Sequence, residues 1–361
     1  MAARLGAARV APRSPASSGA TPVKPATRRI VRTGVQLLGF LLGLALLGWC
    51  AQLALSPDNR EQLDRLADAG AGPVLALVGL SAASLVLNGL SFWVAVRPVH
   101  RLRALDVVAV NAMASFLAFL PFKIGLLLRV LIHRKRDGVP LLTIGAWFAA
   151  VALVLLVSLA PLVAVSLWRP SVDAVWFIAG GAGVTACAAA LILASRVFAG
   201  DRGLVRIHAI ADRLPIAGRL TRTVAFGHVH HGFAMTGDAR AVAGGIGFRV
   251  ADALVQSARL WIAAEVLGVE LTIGSAVVLA LGYFMVGMLS PFGMLGTREA
   301  GAAGIAVALG VGGEAFAPTA LLVGAVDAVT ALIGAAIGGV WLRPDRLLRV
   351  RSEAPVDQAR G

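Results

Sequence analysis

Long apolar runs, separated by short polar segments, follow one another along most of the chain. Several are as long as the roughly 20 residues that a helix needs to cross the hydrocarbon core of a membrane. Most end at basic residues, as membrane-spanning helices do on their cytoplasmic side. The pattern predicts six full transmembrane helices, over residues 35–55, 72–96, 141–168, 175–197, 241–267 and 317–341.

Two further apolar runs are interrupted by residues that a membrane helix normally lacks. The run 104–132 is broken by PFK at 121–123, and the run 272–310 is broken by SPFGMLGTRE at 290–299. Both ends of the first unit are basic, and its last segment, 124–132, is too short to cross a core of about 30 Å at about 1.5 Å per residue. The sequence therefore predicts two re-entrant hairpins of broken helices.

Composition supports a membrane protein and excludes several other classes. The chain is 58% hydrophobic and 14% charged, whereas soluble domains are about 25% charged. Its net charge of +14 lies mostly at the ends of the apolar runs, which fits membrane orientation and not nucleic-acid binding. We predict an all-α polytopic membrane protein of the bacterial inner membrane, with both termini cytoplasmic.

The chain divides into one membrane domain and two tails. Residues 1–34 are basic and free of acids, which predicts a disordered cytoplasmic tail, and 343–361 form a second cytoplasmic tail. The membrane domain spans 35–342, with halves at about 35–168 and 175–342. Within it, 199–240 is polar and basic, and its apolar residues at helical spacing predict an amphipathic helix on the inner leaflet.

The two halves share an order of elements with reversed direction. Pro-Phe occurs at both breaks, at 121–122 and 291–292, and the helix that precedes each hairpin carries four polar residues spaced by three, four and three. This spacing places each set on one helix face. The two stripes are Ser81, Ser84, Asn88 and Ser91, and Arg249, Asp252, Gln256 and Arg259. The sequence thus predicts an inverted repeat, the architecture of many secondary transporters.

The charged and glycine residues of the hairpins are the candidate binding site. Ionisable groups inside a bilayer are costly and face protein or water, glycines permit close backbone approach, and a helix N-terminus favours anions. We therefore expect an anionic partner, such as a phosphate head group. The candidate residues are Lys123, Gly125, Arg129, Pro291, Gly293, Gly296, Arg298 and Glu299, supported by Asn88, Arg249, Asp252, Gln256, Arg259 and Asp327.

A purely structural alternative exists for these charges. Arg298 could pair with Asp327, and Arg249 with Asp252, only to make each other tolerable in the membrane. The motif HVHH at 228–231 likewise fits a weak metal site or, in the favoured interpretation, interfacial histidines. No catalytic grouping, phosphate loop or metal-ligand cluster stands out, so we expect no enzyme activity, cofactor or metal, although Glu299 could serve as an acid/base or as a proton or ion coupling site.

The hairpin motifs resemble a known family. An asparagine-bearing run followed by Pro-x-x-x-Gly-x-x-x-Arg, and later Pro-x-Gly with Gly-x-x-Glu at Pro291, Gly293, Gly296 and Glu299, resembles the membrane domain of lysylphosphatidylglycerol synthases and its stand-alone, flippase-like relatives. The resemblance covers about 35–342 and implies lipid translocation or handling. Two departures matter. Leu126 follows Gly125 where the family often has an acid, and only about twenty residues follow the last predicted helix, so we expect no aminoacyl transfer.

Three functions remain in competition on this basis. The leading one is the translocation or handling of an anionic lipid or a polyprenyl-linked lipid. The second is an accessory role, in which the basic tails and the segment 199–240 recruit a lipid-modifying or glycosylating enzyme. The third, a membrane enzyme acting on a lipid head group through Glu299, lacks a second catalytic group.

Overall fold

Helices make up the regular structure throughout the described part of the chain. The computed structural model describes residues 38, 41–42, 44–120, 124–169, 171–213, 215–289 and 296–343, and a 3₁₀ turn at Pro57–Asn59 precedes the second helix. The helices are α1 (Leu44–Ala54), α2 (Arg60–Ala67), α3 (Ala71–Val96), α4 (Ala104–Leu117), α5 (Ile124–Lys135), α6 (Leu141–Trp168), α7 (Ala174–Phe198), α8 (Gly200–Ala211), α9 (Pro215–Thr221), α10 (Val224–Thr236), α11 (Ala239–Leu267), α12 (Ile273–Leu289), α13 (Thr297–Ala308) and α14 (Gly313–Leu342).

Among the residues that the structure describes, four helices are long and apolar enough to cross a membrane. They are α3, α6, α7 and the stretch Phe316–Leu342 of α14, and they match four of the predicted spans in position and length. Residues 35–37, 39–40 and 43 of the first predicted span lie outside the described residues, and its later part is α1. Helix α11 has 29 residues, a length of roughly 43 Å, but its charges lower its hydropathy. The count of six spans and two re-entrant hairpins stays a prediction.

Helix α7 begins at a capped and ion-paired residue. The Asp173 carboxylate accepts a hydrogen bond from the Trp176 N–H and forms an ion pair with Arg169. The contact with Arg169 has the larger effect and the Trp176 N–H the smaller one, and they lower the pKa of Asp173 to about 2. The carboxylate is therefore charged at neutral pH, and its negative charge stabilises α7 because it lies at the positive, N-terminal end of the helix dipole.

Helices α3 and α11 form the most extensive helix pair and run antiparallel. Near the end of α3, Val94 faces Gly244 and Gly245 at the start of α11. Further back along α3, Asn88 meets Arg249, and Ser84 meets Asp252 and Gln256. Residue numbers thus rise along one helix as they fall along the other. These five members of the two predicted polar stripes therefore lie on the faces that the helices turn to each other.

Each broken run folds into two packed helices. In the first, Gly125 of α5 lies so close to α4 that a Cβ atom there would be 2.2 Å from the Ala114 carbonyl oxygen. In the second, a Cβ at Gly282 of α12 would be 2.2 Å from the Ile305 side chain of α13. The helical hairpins are therefore observed, while the breaks at 121–123 and 290–295 lie outside the described residues.

The packing of the first half has a counterpart in the second. Helix α4 packs on α14, and α12 packs on α6; α3 also contacts α14, as α11 contacts α6. The α4–α14 contact is close because Gly334 faces Ala112 and Gly338 faces the Ala109 carbonyl, as small residues do where two membrane helices touch. At one end of this contact, Asp106 accepts hydrogen bonds from Trp341 and Arg136.

The described part of the segment 199–240 contains helices α8, α9 and α10, and the apolar residues at helical spacing that predicted an amphipathic helix lie in α8. Proline fits the first turn of a helix, and Pro215 begins α9. A new N-cap follows at Thr223, whose hydroxyl accepts the Phe226 N–H. Helix α10 packs into the bundle, because Gly232 lies against the Ala146 carbonyl of α6 and Thr236 hydrogen-bonds Ser195 of α7. Its placement at the inner leaflet stays a prediction.

Candidate functional site

A cavity of about 380 Å³ lies between the two halves of the bundle. Its wall includes Ser84 of α3, Leu155 of α6 and Asp327 of α14, and each of these lies near the middle of its helix. If these helices span the membrane along their length, the cavity lies at mid-depth. The polar side chains of the wall are Ser81, Ser84, Asn88, Ser115, Arg129, Arg249, Asp252, Gln256, Tyr283, Arg298, Asp327 and Thr330.

The two helix stripes meet along one wall of this cavity. The Ser84 hydroxyl donates to Asp252 Oδ1 at 2.6 Å, and Gln256 Nε2 donates to the Ser84 oxygen at 2.9 Å. Arg249 Nη2 donates to Asn88 Oδ1 at 2.9 Å. Arg249 and Asp252 are almost fully buried and lie 3.7 Å apart at their nearest nitrogen and oxygen. The α3 stripe thus provides neutral partners for the charges of α11.

Arg259 joins this network to the last helix. Its side chain has no solvent exposure. Nη1 donates to Gln256 Oε1 at 2.8 Å, while Nη2 donates to Asp327 Oδ1 at 2.6 Å and to the Val323 carbonyl at 3.3 Å. A guanidinium can make such contacts in several directions because it has five donors in a planar fork. Arg259 therefore connects α11 to α14 behind the cavity wall.

The second hairpin contributes Arg298 and Glu299 at the start of α13. The Arg298 guanidinium lies 4.6 Å from the centre of the Tyr283 ring, as in a cation–π contact, and 3.6 Å from Asp327 Oδ2. Glu299 Oε1 is 3.8 Å from Arg298 Nη2. The carboxylate lies against Gly324 of α14, where a Cβ would be only 2.9 Å from Oε1. Gly324 therefore leaves the space that Glu299 occupies.

The first hairpin contributes Arg129. Its Nη2 donates to Asn111 Oδ1 at 2.6 Å, and its guanidinium lies 4.2 Å from the centre of the Phe92 ring. Asn111 in turn donates to the Leu85 carbonyl at 2.9 Å. Within the described residues, Arg129 has no carboxylate within ion-pair distance. Its contacts are an amide and an aromatic ring, so its charge is oriented without being neutralised.

The charged pairs of the structural alternative are present, but they leave donors unused. Arg298 and Asp327 lie 3.6 Å apart and Arg249 and Asp252 lie 3.7 Å apart at their nearest nitrogen and oxygen atoms, and both distances are too long for a direct hydrogen bond. Among the described residues, the buried Arg249 Nη1 and Arg298 Nη2 have no hydrogen-bond partner, and neither has the Tyr283 hydroxyl. A buried donor without a partner is costly, so mutual tolerance alone does not account for the arrangement.

The structure brings most of the predicted residues together. Asn88, Arg129, Arg249, Asp252, Gln256, Arg298 and Asp327 line the cavity, whereas Arg259 and Glu299 lie behind its wall. Gly125 lies in the contact between α4 and α5 and not at the cavity. Gly296 is buried and is the N-cap of α13, with φ 75°, a value that glycine adopts readily. Lys123, Pro291 and Gly293 lie outside the described residues.

Two residues of the site were missed by the sequence analysis. Tyr283 is the single tyrosine of the chain and lies in α12, seven positions before the second break. Asn111 was noticed only as a feature of its run, although a polar amide in an apolar helix is a signal of a buried contact. Both could have been found by asking which polar residues the flanking helices carry.

The histidine motif at 228–231 offers little to a metal. The ring nitrogen Nε2 of His230 lies 3.1 Å from the Phe198 carbonyl oxygen. The side chains of His228 and His231 are outside the described part of the structure. Among the side chains that are described, no group of three histidine, cysteine or acidic residues is placed to hold a metal ion.

Comparison with known proteins identifies the family. A family model described as the lysylphosphatidylglycerol synthase TM region matches residues 36–334, more than four fifths of the chain. This chain belongs to the lysylphosphatidylglycerol synthase TM region family. It is a multi-pass membrane protein of a family related to lipid handling, as its sequence motifs suggested. Searches of curated proteins and of solved structures gave no match.

Proposed function

We propose that this family member binds the head group of an anionic or polyprenyl-linked lipid in its cavity and carries it across the membrane. The observation that supports this most directly is the cavity itself, which is lined by three arginines, Arg129, Arg249 and Arg298, inside a bundle of largely apolar helices. Arginine suits this task because its planar donors match phosphate oxygens. A head group that enters the cavity would lose its bound water but gain hydrogen bonds from these arginines. In the hydrocarbon core it would lose the water and gain no hydrogen bond.

An inverted repeat would give the protein two equivalent openings. Its support lies in the antiparallel α3–α11 pair and in the matched contacts of α4 with α14 and α12 with α6. In transporters of this design, one repeat rocks against the other around a central site. We propose that the cavity opens alternately to the two leaflets, in the bacterial inner membrane with both termini cytoplasmic.

The lipid would leave this protein chemically unchanged. Glu299 faces Arg298 and Gly324 behind the wall, and a general acid or base needs to reach the reacting group. We assign Glu299 to holding Arg298 in place, which makes the protein a carrier and not an enzyme.

Reconstitution into liposomes tests this function. Purified protein with labelled lipids of several head groups should accelerate exchange between leaflets. Glu299→Gln should lower the rate roughly 10-fold, because it removes one charge facing the buried Arg298. Glu265→Gln is the matched control, since Glu265 is exposed at the end of α11 and should leave the rate unchanged.

Two results would contradict the proposal at different points. Equal exchange rates for the wild type and Glu299→Gln would argue against this assignment of the site. No exchange with any lipid class would count against the function, and would favour the accessory role instead.

A further inference from the structure

We infer that Asp106 is the latch of a gate, and that this gate closes the cavity at the end of the bundle where α4 begins, the predicted cytoplasmic end. The inference rests on the proposed function, because a gate is needed only if the cavity opens to that side. It adds a residue outside the candidate site. It also adds an asymmetry, since the two openings of an inverted repeat would be held shut by different contacts.

Asp106 connects the two halves of the bundle. It is the third residue of α4 and is 8% exposed. Its Oδ1 accepts a hydrogen bond from Trp341 Nε1 of α14 at 2.9 Å. Its Oδ2 accepts one from Arg136 Nη2, directly after α5, at 3.1 Å. Helices α4 and α5 belong to the first half and α14 to the second, so one carboxylate holds both halves together. Hydrogen bonds to a charged group are stronger than those between neutral groups.

This contact lies between the cavity and the end of the bundle. Ser115 lines the cavity and follows Asp106 by nine residues along α4, which is about 13 Å at 1.5 Å per residue. An apolar cluster of Val110, Ile132 and Leu342 lies in the same region and takes one residue from each of α4, α5 and α14. Water or a polar head group can pass this cluster only if the three helices separate, and that separation breaks the contact at Asp106.

The end of α5 is also held on its other side, within the first half. The His133 side chain is 2% exposed, and its ring centre lies 4.8 Å from that of Trp147 in α6. Its Nδ1 lies 2.7 Å from Asp137 Oδ2. The end of α5 is therefore attached to both neighbours in its own half. The hydrogen bond between Asp106 and Trp341 is the polar contact that a movement between the halves has to break.

The residues at the corresponding place of the other end make no such contact. In the matched packing, α12 takes the place of α4, and α6 takes that of α14. The third residue of α12 is Ser275, whose hydroxyl is hydrogen-bonded to that of Thr272 at 2.9 Å. Helix α6 ends at Trp168, which is 69% exposed. An apolar cluster fills the contact between α6 and α12, so opening at that end does not have to break a bond like that of Asp106.

Side-specific labelling of a cysteine in the cavity tests the inference. The reporter is Ser115→Cys in the full-length protein, with Cys50 and Cys187 replaced by alanine. A membrane-impermeant maleimide is added to spheroplasts or to inside-out vesicles, and Arg134→Cys, exposed on α5, identifies the side on which α5 ends. Trp341→Phe keeps a ring but removes the N–H donor. We expect labelling from the α5 side to become about 10- to 100-fold faster, the range for a hydrogen bond to a charged group, with no increase from the other side.

Two further variants separate the latch from a general structural role. Trp168→Phe is the matched control, because Trp168 ends α6 as Trp341 nearly ends α14, and it should leave labelling from both sides unchanged. Asp106→Asn keeps the size of the side chain and removes its charge, so it should act in the same direction as Trp341→Phe. A general loss of packing would instead expose the reporter to both sides and lower the midpoint of thermal unfolding.

A reversible lock tests the opposite change. Asp106→Cys and Trp341→Cys are combined in the protein without native cysteines and joined by a thiosulfonate cross-linker that a reductant removes. We expect the cross-link to stop lipid exchange in liposomes and the reductant to restore it. The two single-cysteine variants, treated in the same way, control for modification without a cross-link.

The outcomes distinguish this inference from the proposed function. Unchanged labelling of both Trp341→Phe and Asp106→Asn from the α5 side, or equally faster labelling from both sides, would overturn the latch even if lipid exchange is observed. Continued exchange by the cross-linked protein would overturn it as well. Faster labelling from the α5 side alone, without exchange of any lipid by the wild type, would uphold the latch and reject translocation.

Discussion

Replacing Arg259 by methionine is expected to lower the free energy of unfolding by about 3–5 kcal/mol, the usual effect of removing one partner of a buried ion pair. Arg259 is fully buried and donates to Gln256, Asp327 and the Val323 carbonyl. Methionine fills much of the same volume but leaves the Asp327 carboxylate without its closest partner. Unfolding of the purified protein by denaturing detergent, followed by loss of helical circular dichroism, measures the difference.

A double variant identifies the cause of this loss. Arg259→Met combined with Asp327→Leu removes both charges, and we expect it to recover most of the stability because an apolar pair of similar size can replace a buried ion pair. Arg240→Gln is the single-charge control, since Arg240 is exposed at the start of the same helix. A double variant as unstable as Arg259→Met would show that packing, and not the unpaired charge, is responsible.

Replacing Gly125 by alanine is expected to separate the two helices of the first hairpin. The added Cβ would lie 2.2 Å from the Ala114 carbonyl oxygen, a backbone atom that cannot move aside as a side chain can. Overpacking of this kind costs about 1–3 kcal/mol, and α5 would shift together with Arg129. We expect lower stability and a loss of lipid exchange in the liposome assay.

Two other glycines provide a graded comparison. At Gly282 in the second hairpin, the added Cβ would meet only the flexible end of Ile305, so Gly282→Ala should have a smaller effect. At Gly79 of α3 there is open space, and Gly79→Ala should be neutral or stabilising by about 0.5–1 kcal/mol. If Gly125→Ala behaves like Gly79→Ala, α4 and α5 are not in the close contact described here.

The long apolar helices could be predicted from the sequence because each one ends where apolar residues give way to polar or charged ones. The predicted span 141–168 is helix Leu141–Trp168, and the predicted span 72–96 is Ala71–Val96. The spacing of Arg249, Asp252, Gln256 and Arg259 also predicted a shared face, and that face packs on α3. Both results rest on local periodicity, which a sequence displays directly.

The pairing of the charges could not be predicted in the same way. The sequence suggested Arg298 as the partner of Asp327, but Arg259 is closer, at 2.6 Å against 3.6 Å. These residues are 68 and 29 positions from Asp327, and helical spacing says nothing about contacts between distant helices. The role of Gly125 in helix packing was missed for the same reason, since it depends on where Ala114 lies. The division of 199–240 into three helices depends on Pro215, which begins α9, and on Thr223, the N-cap of α10. The prediction of an amphipathic helix in this segment did not use these two local signals.

The position of Tyr283 offers a direct way to observe the site. It is the only tyrosine among the 361 residues, it lines the cavity, and its ring lies under Arg298. Protein produced with 3-fluorotyrosine would therefore carry one fluorine label, located at the cavity wall, without any engineered substitution. Its single ¹⁹F resonance would respond to movement of Arg298 as lipids enter or leave.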